Sequence, residues 1–310
     1  MDATECCAIA GVGDTAFTRG TSKSTLELHL EASTAAIDDA GLTPGDVDAV
    51  LPSAMAGHAV EDFIVSLGLR DLAYSSTLHM AGASVIGSVQ TARMLIATGA
   101  ATCVLIPAGR RGFSGERIST GQAVIEPAVT TMYEFEVPVG NVGAAQWFAQ
   151  AAQRHMYEYG TTSVQLGHVA VNSRANANLN PHALMYGRPM TLEDHQNSRM
   201  ITTPFRLFDC SLESDGAGAV VITSAQRARD LGQPPVLVAG AAQSHDNHPR
   251  SLTEKPRMPE VTSIQVAAQR ALRMAGMTIS SAGRWKHRAR SRTARTWSSS
   301  TRAVSSTGRC

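Results

Sequence analysis

The chain has 310 residues, 43% of them hydrophobic and 5% aromatic, enough to bury a large core as one big domain or two modest ones. Its formal charge of +1 is uneven: eight of the 27 Lys and Arg residues lie between Ser280 and Cys310, where there is no Asp or Glu, so residues 1–279 carry a formal −7. An acidic body argues against nucleic-acid binding, and the most apolar stretch, LIATGAATCVLIPAG at 95–109, is too short and too broken by Gly to span a bilayer.

The opening MDATECCAIAG has no basic start and no long apolar run, unlike a signal peptide. Cys6, Cys7, Cys103 and Cys210 sit in or beside apolar runs without CxxC spacing, which reads as reduced core thiols of a cytoplasmic protein. CCAIAGV (6–12) reads as a buried strand. STLELHLEASTAAIDDAGL (24–42) follows as an amphipathic helix, opened by a Ser24/Glu27 capping box and stopped at Gly41. DVDAVLP (46–52) is the next strand, GASVIGSVQTARMLIATG (82–99) a helix whose first turns are small residues, and ATCVLIPAG (101–109) a strand. Strands alternating with helices predict an α/β protein with a mostly parallel sheet.

Residues 110–204 break that rhythm, with helices over 143–160 and from Ser163 toward Pro181, and read as a helical insertion over one end of the sheet. The apolar run at 217–224, preceded by the polar cluster Asp209–Asp215, returns to the main sheet. AIAGVG (8–13) is echoed by LVAGAA (237–242), and AAIDDAGLT (35–43) by RALRMAGMT (270–278), so one strand–helix unit occurs twice. The second copy should continue as a strand, but from Ser280 the chain turns to Arg, Ser, Ala and Thr. A basic disordered tail and an out-of-frame translation both fit that composition, and the abrupt change favours the second. The expected domains are 1–230, with 110–204 inserted, then 231–279, then the tail 280–310. A second half cut short would leave a large apolar face exposed.

GVGDTAFTRG with its helix to DAGL, TARMLIATGAATCVLIPAG, HMYEYGTT and DCSLESDGAGAVVITS stand in an order that resembles the thiolase superfamily. The likeness, over about residues 7–279, is greatest to the sterol-carrier-protein-type thiolases and bacterial lipid-transfer proteins. It implies a five-layer αβαβα fold of two similar halves, the second incomplete here. It also implies a homodimer acting on acyl-CoA thioesters, with coenzyme A as part of the substrate and no separate cofactor. In such thiolases a cysteine nucleophile begins the tightly packed helix, and aligning TARMLI puts that position at Gly82, which carries no nucleophile. Ser84 is a candidate substitute, with packing or capping as its plainer role, and His79 a candidate oxyanion or thioester contact. Ser211 falls where the family has a serine lining the coenzyme A channel, with Cys210 beside it and Asp215–Gly216 turning into the strand. A purely structural role for Asp209 and Asp215 is equally open. His248, in NHPR, is too early for the family's Gly-His-Pro motif.

GVGDTA also fits a GxGxxA dinucleotide fingerprint, but the helix opens at Ser24, too late to place a pyrophosphate. His29, His79, His155, His168 and His195 show no metal-ligand spacing and read mostly as surface or helix-face residues. With glycine for the nucleophile, retro-aldol cleavage of a β-hydroxyacyl-CoA fits better than thiolysis. The relatives imply a small zinc-ribbon/OB-fold partner. The alternative is an inactive chain that only binds acyl-CoA or a partner.

Overall fold

The computed structural model describes residues 6–53, 57–117, 132–245 and 262–279; the tail from Ser280 and His248 lie outside them. The described residues fall into two compact units. One comprises the chain up to Arg111, Asp215–Ser244 and the helix from Ser263; the other is Gly112–Ser214 together with His245 and Thr262.

The first unit is built on a six-stranded sheet of β1 (Cys7–Asp14), β2 (Ala49–Val50), β3 (Tyr74–Ser75), β4 (Cys103–Arg111), β7 (Asp215–Ser224) and β8 (Val236–Leu237), in the order β3-β2-β4-β7-β1-β8. Cys103 to Pro107 are buried without a break, as in a strand covered on both faces. Helix α1 (Thr25–Asp39) packs on β1, β4 and β7, and its Leu28, Ala32, Ala36 and Ile37 join Ala8, Ala10, Leu105 and Val221 in the main core. The expected capping box is present: Glu27 N–H donates to Ser24 Oγ and Ser24 N–H to Glu27 Oε2. The short α2 (Val60–Leu67) contributes Phe63, and α3 (Ser84–Thr98) ends at left-handed Gly99.

The sheet is mixed, which corrects the expectation of a mostly parallel one. β2 runs parallel to β3 and β4, but β7 is antiparallel to both β4 and β1, and β8 is antiparallel to β1. The reason lies in the insertion. β4 leaves the sheet at Arg111, which is paired in register with Asp215, and the Gly112 N–H donates to the Ser214 carbonyl at 3.1 Å. Residues 112–214 therefore depart and return at one point, like the loop of a very long hairpin, and a hairpin closes only with antiparallel strands.

The sequence repeat is matched in the packing. A Cβ added to Gly11 would lie 2.2 Å from the Ala36 carbonyl oxygen, and one added to Gly240 would lie 2.1 Å from that of Ala271. Gly11 aligns with Gly240, and Ala36 with Ala271. The two helices also end alike, at Gly41 (φ +71°) and Gly276 (φ +61°). Leu42 N–H donates to Ile37 O at one end and Met277 N–H to Leu272 O at the other. Left-handed φ and a backbone pressed against a helix are both conditions that admit glycine and little else. Ala8 pairs with Leu237, its own repeat equivalent, and Val238 N–H donates to the Cys7 carbonyl. The two copies thus meet about a local two-fold.

The second unit contains α4 (Ala144–Tyr159), α5 (Ser163–Ala177), α6 (Leu192–Asn197) and the small ribbon β5 (Met200–Thr202) and β6 (Phe205–Arg206). Its core gathers Ala149, Ala152 and Phe205, with Leu166 and Cys210 packed against them. No helix among the described residues is long and apolar enough to cross a membrane.

Candidate functional site

Gly82 lies in the single turn Ala81–Ala83 that leads into α3. A Cβ there would meet nothing within 4 Å, so the position opens into space at the head of a fifteen-residue helix. That end carries the positive pole of the helix and its first N–H groups. Ser84 is fully buried, and its Oγ accepts the Met80 N–H at 2.9 Å, which closes the turn. Gly87 is pressed against Leu78, Met80 and Gln243, the tight approach that the small residues of this helix forecast. His79 is exposed, beside the same turn.

The loop before β7 supplies the other candidates. The turn Leu207–Asp209 is capped by Asp209, whose Oδ2 accepts the Arg206 N–H at 2.7 Å. Cys210 follows, half-buried, and Ser211 is exposed. Asp215 is 1% exposed; its Oδ2 accepts the Gly20 N–H at 3.1 Å, and its backbone pairs with Thr18. The carboxylate thus ties the β1–α1 loop to β7. Gly216 lies under the Phe17 ring, 2.5 Å from where its Cβ would be. Gly82, Ser84, His79, Asp215 and Gly216 belong to the first unit, and Cys210 and Ser211 to the second.

Cys7, Cys103 and Cys210 are poorly suited to attack. Burial, reinforced by Cys6 beside it, pushes the Cys7 thiol up to about 12, and burial pushes Cys103 up to about 12. Cys210 is raised by its burial and by Asp209. A thiolate is the nucleophile, and these groups stay protonated at neutral pH.

Two of the histidines, both on helices, are fully buried. His29 is fully buried on α1, stacked on Phe63 with ring centroids 5.9 Å apart and edge-on to His58 at 6.2 Å. Burial lowers its pKa to about 4, outweighing the pull of the Gly109 backbone toward the charged form. His195 is also fully buried, with Nε2 2.7 Å from Asp209 Oδ1 and Nδ1 3.1 Å from Gln196 Nε2. An amide nitrogen can only donate, so Nδ1 is the acceptor and Nε2 carries the proton toward the carboxylate. His195 lies against Gly167 of α5, where a Cβ would come within 2.9 Å of Nδ1. Nothing in the sequence flags this pair, because it depends on an inter-helix contact at a glycine. Among the described residues no three His, Cys, Asp or Glu side chains converge as metal ligands would.

No protein-family model matches the chain. It is 39% identical over 281 residues to the steroid side-chain-cleaving aldolase of Thermomonospora curvata, covering 89% of this chain and 72% of that protein. The chain belongs to the thiolase-like superfamily, in its sterol-carrier-protein and lipid-transfer-protein branch. It is 37% identical to the 17-hydroxy-3-oxo-4-pregnene-20-carboxyl-CoA lyase of Mycobacterium tuberculosis, over 87% of this chain and 72% of that enzyme. Its fold matches a solved complex, the Ltp2–ChsH2(DUF35) aldolase, with a TM-score of 0.84 and 37% identity, covering 90% of this chain and 72% of the other.

Proposed function

We propose that this chain cleaves a carbon–carbon bond beside a coenzyme A thioester by a retro-aldol route, on a steroid side chain. The observation that carries the reading is Gly82: an open position at the head of α3 in a chain whose described thiols are buried or raised. Its relatives include a steroid side-chain-cleaving aldolase and a carboxyl-CoA lyase. In a retro-aldol cleavage a base takes the proton of the β-hydroxyl, that carbon becomes a carbonyl, and the Cα–Cβ electron pair passes into the thioester enolate. Protonation at Cα then yields the shorter acyl-CoA. No acyl-enzyme forms, so no cysteine is required. Helix α3 would stabilise the enolate oxygen with its positive end.

In this reading His79 flanks the thioester, Asp215 and Gly216 shape the turn into β7, and Ser84 keeps its packing role. The fold is the five-layer αβαβα arrangement of two similar halves, with the Gly240–Ala271 copy as the start of the second. A homodimer accompanied by a small DUF35 partner completes it, in the cytoplasm, where unpaired thiols persist.

The test is to incubate the chain, with a DUF35 protein of the ChsH2 type, with a steroid bearing a β-hydroxyacyl-CoA side chain. Mass spectrometry should find a steroid ketone and a shorter acyl-CoA in equal amounts. Tight binding of the thioester with no products would show a binding protein instead.

A further inference from the structure

The repeat leaves one edge of the sheet unfilled. Val238 N–H donates to the Cys7 carbonyl at 3.0 Å and Ile9 pairs with Val236, so β1 and β8 pair symmetrically on either side of Ala8 and Leu237. The two strands therefore hold equivalent places about the local two-fold. On its other side β1 pairs antiparallel with β7, from Cys7 to Asp14. The equivalent side of β8 is the end of the sheet among the described residues. Main-chain groups alternate in direction along a strand, so with Val238 N–H turned to β1, the N–H and C=O of Leu237 point to that open side.

Exposure shows the same asymmetry. Cys7 and Ala8 are 0% exposed, whereas their repeat equivalents Val236 and Leu237 are 47% and 42% exposed. The helices differ alike. On α1, which packs on β1, β4 and β7, His29, Ser33 and Ile37 are buried. On α7 (Thr262–Met274) the equivalents are Ile264, 57% exposed, Ala268, also exposed, and Leu272, half-buried. The first copy has a cover that the second lacks.

The symmetry also describes what fits there. β7 begins with Gly and Ala and continues into Val220, Val221 and Ile222, with no charge or proline after Asp215. The longer stretches outside the described residues do not carry that pattern. The apolar run within 118–131 is broken at Glu126 and Pro127, 246–261 holds three prolines, and 280–310 has no Ile, Leu, Met or Phe. β7 of a second copy is already held between β4 and β1 of its own sheet. An open edge flanked by exposed aliphatic side chains is a template for an added strand.

Resting on the reading of two similar halves above, we infer that the open side of β8 takes an antiparallel strand of β7 character from a partner polypeptide. Leu237 N–H and C=O bond to its main chain, and its aliphatic side chains cover Ile264 and Leu272 of α7.

The probe is the stretch of the Thermomonospora curvata aldolase that follows its match to this chain, made as a separate polypeptide. It is titrated calorimetrically against the full chain while hydrogen exchange is followed over 234–240 and 262–277. The Leu237 amide, fast in the chain alone, should become protected together with α7. Leu237→Pro removes only an outward N–H and keeps the Val238–Cys7 bond, so it should fold as the wild type and bind about tenfold more weakly. Ile264→Asp, at an exposed position, should weaken binding similarly. Binding that leaves Leu237 exchanging freely and ignores both variants overturns the strand addition while leaving the two-halves reading standing. Protection of Leu237 that rises with the concentration of the chain alone gives the edge to a second copy and overturns it as well. No binding of the probe removes the two-halves reading and the added strand together.

Discussion

His29 gives the sharpest test of the core. Its imidazole is fully buried between α1 and Phe63, and neither ring nitrogen makes a hydrogen bond of normal geometry. The perturbation is acid. Below pH 6.5 the unfolded chain takes up a proton at this site, whereas the folded chain resists until about pH 4. Stability is therefore intact above 6.5 and is lost as the pH falls toward 4. At about 1.4 kcal/mol for each unit of pKa, the full loss is roughly 3 kcal/mol, most of it reached by pH 4.5. Urea denaturation of the wild type and of His29→Leu, each at pH 7.5 and 4.5, isolates this contribution, because every other titrating group is shared. The leucine variant should match the wild type at pH 7.5 and exceed it by about 2–3 kcal/mol at pH 4.5. Equal acid losses in the two proteins would refute the reasoning and mean that His29 reaches solvent or a partner in the folded state.

Gly11→Ala and Gly240→Ala should each cost about 1–3 kcal/mol in urea denaturation, since each drives a methyl into a helix carbonyl. Gly82→Ala, with open space around it, should stay within about 0.5 kcal/mol of the wild type. Gly82→Cys should fold equally well, and its thiol at the head of α3 should alkylate faster than Cys103, as read by peptide mapping after iodoacetamide. Asp215→Ala should lose about 1–3 kcal/mol by orphaning the Gly20 N–H, seen as a lower denaturation midpoint.

Much of the first unit is legible locally. Ser24 and Glu27 announce the start of α1, Gly41 and Gly99 the ends of α1 and α3, and the alanines of the repeat foretell where a strand glycine meets a helix. The direction of β7 is not legible, because nothing between 215 and 224 encodes where the preceding hundred residues bring the chain back. The open surroundings of Gly82 and the tight fit at Gly87 follow from small residues in a helix, which sequence shows, but which of them faces a neighbour depends on Leu78 and Gln243. His195 sits in a six-residue helix beside Glu193 and Asp194, a pattern that reads as surface. Its burial is set by Gly167 on another helix and by Asp209 fourteen residues on.

The measurement that bears most directly on the central claim is cleavage of the β-hydroxyacyl-CoA steroid with and without free coenzyme A, before and after treatment with iodoacetamide. Retro-aldol cleavage at a site with glycine at position 82 predicts equal rates in all four conditions, with ketone and shorter thioester formed together. Turnover that requires free coenzyme A, or that alkylation abolishes, would mean that a thiol carries the reaction and would contradict the account.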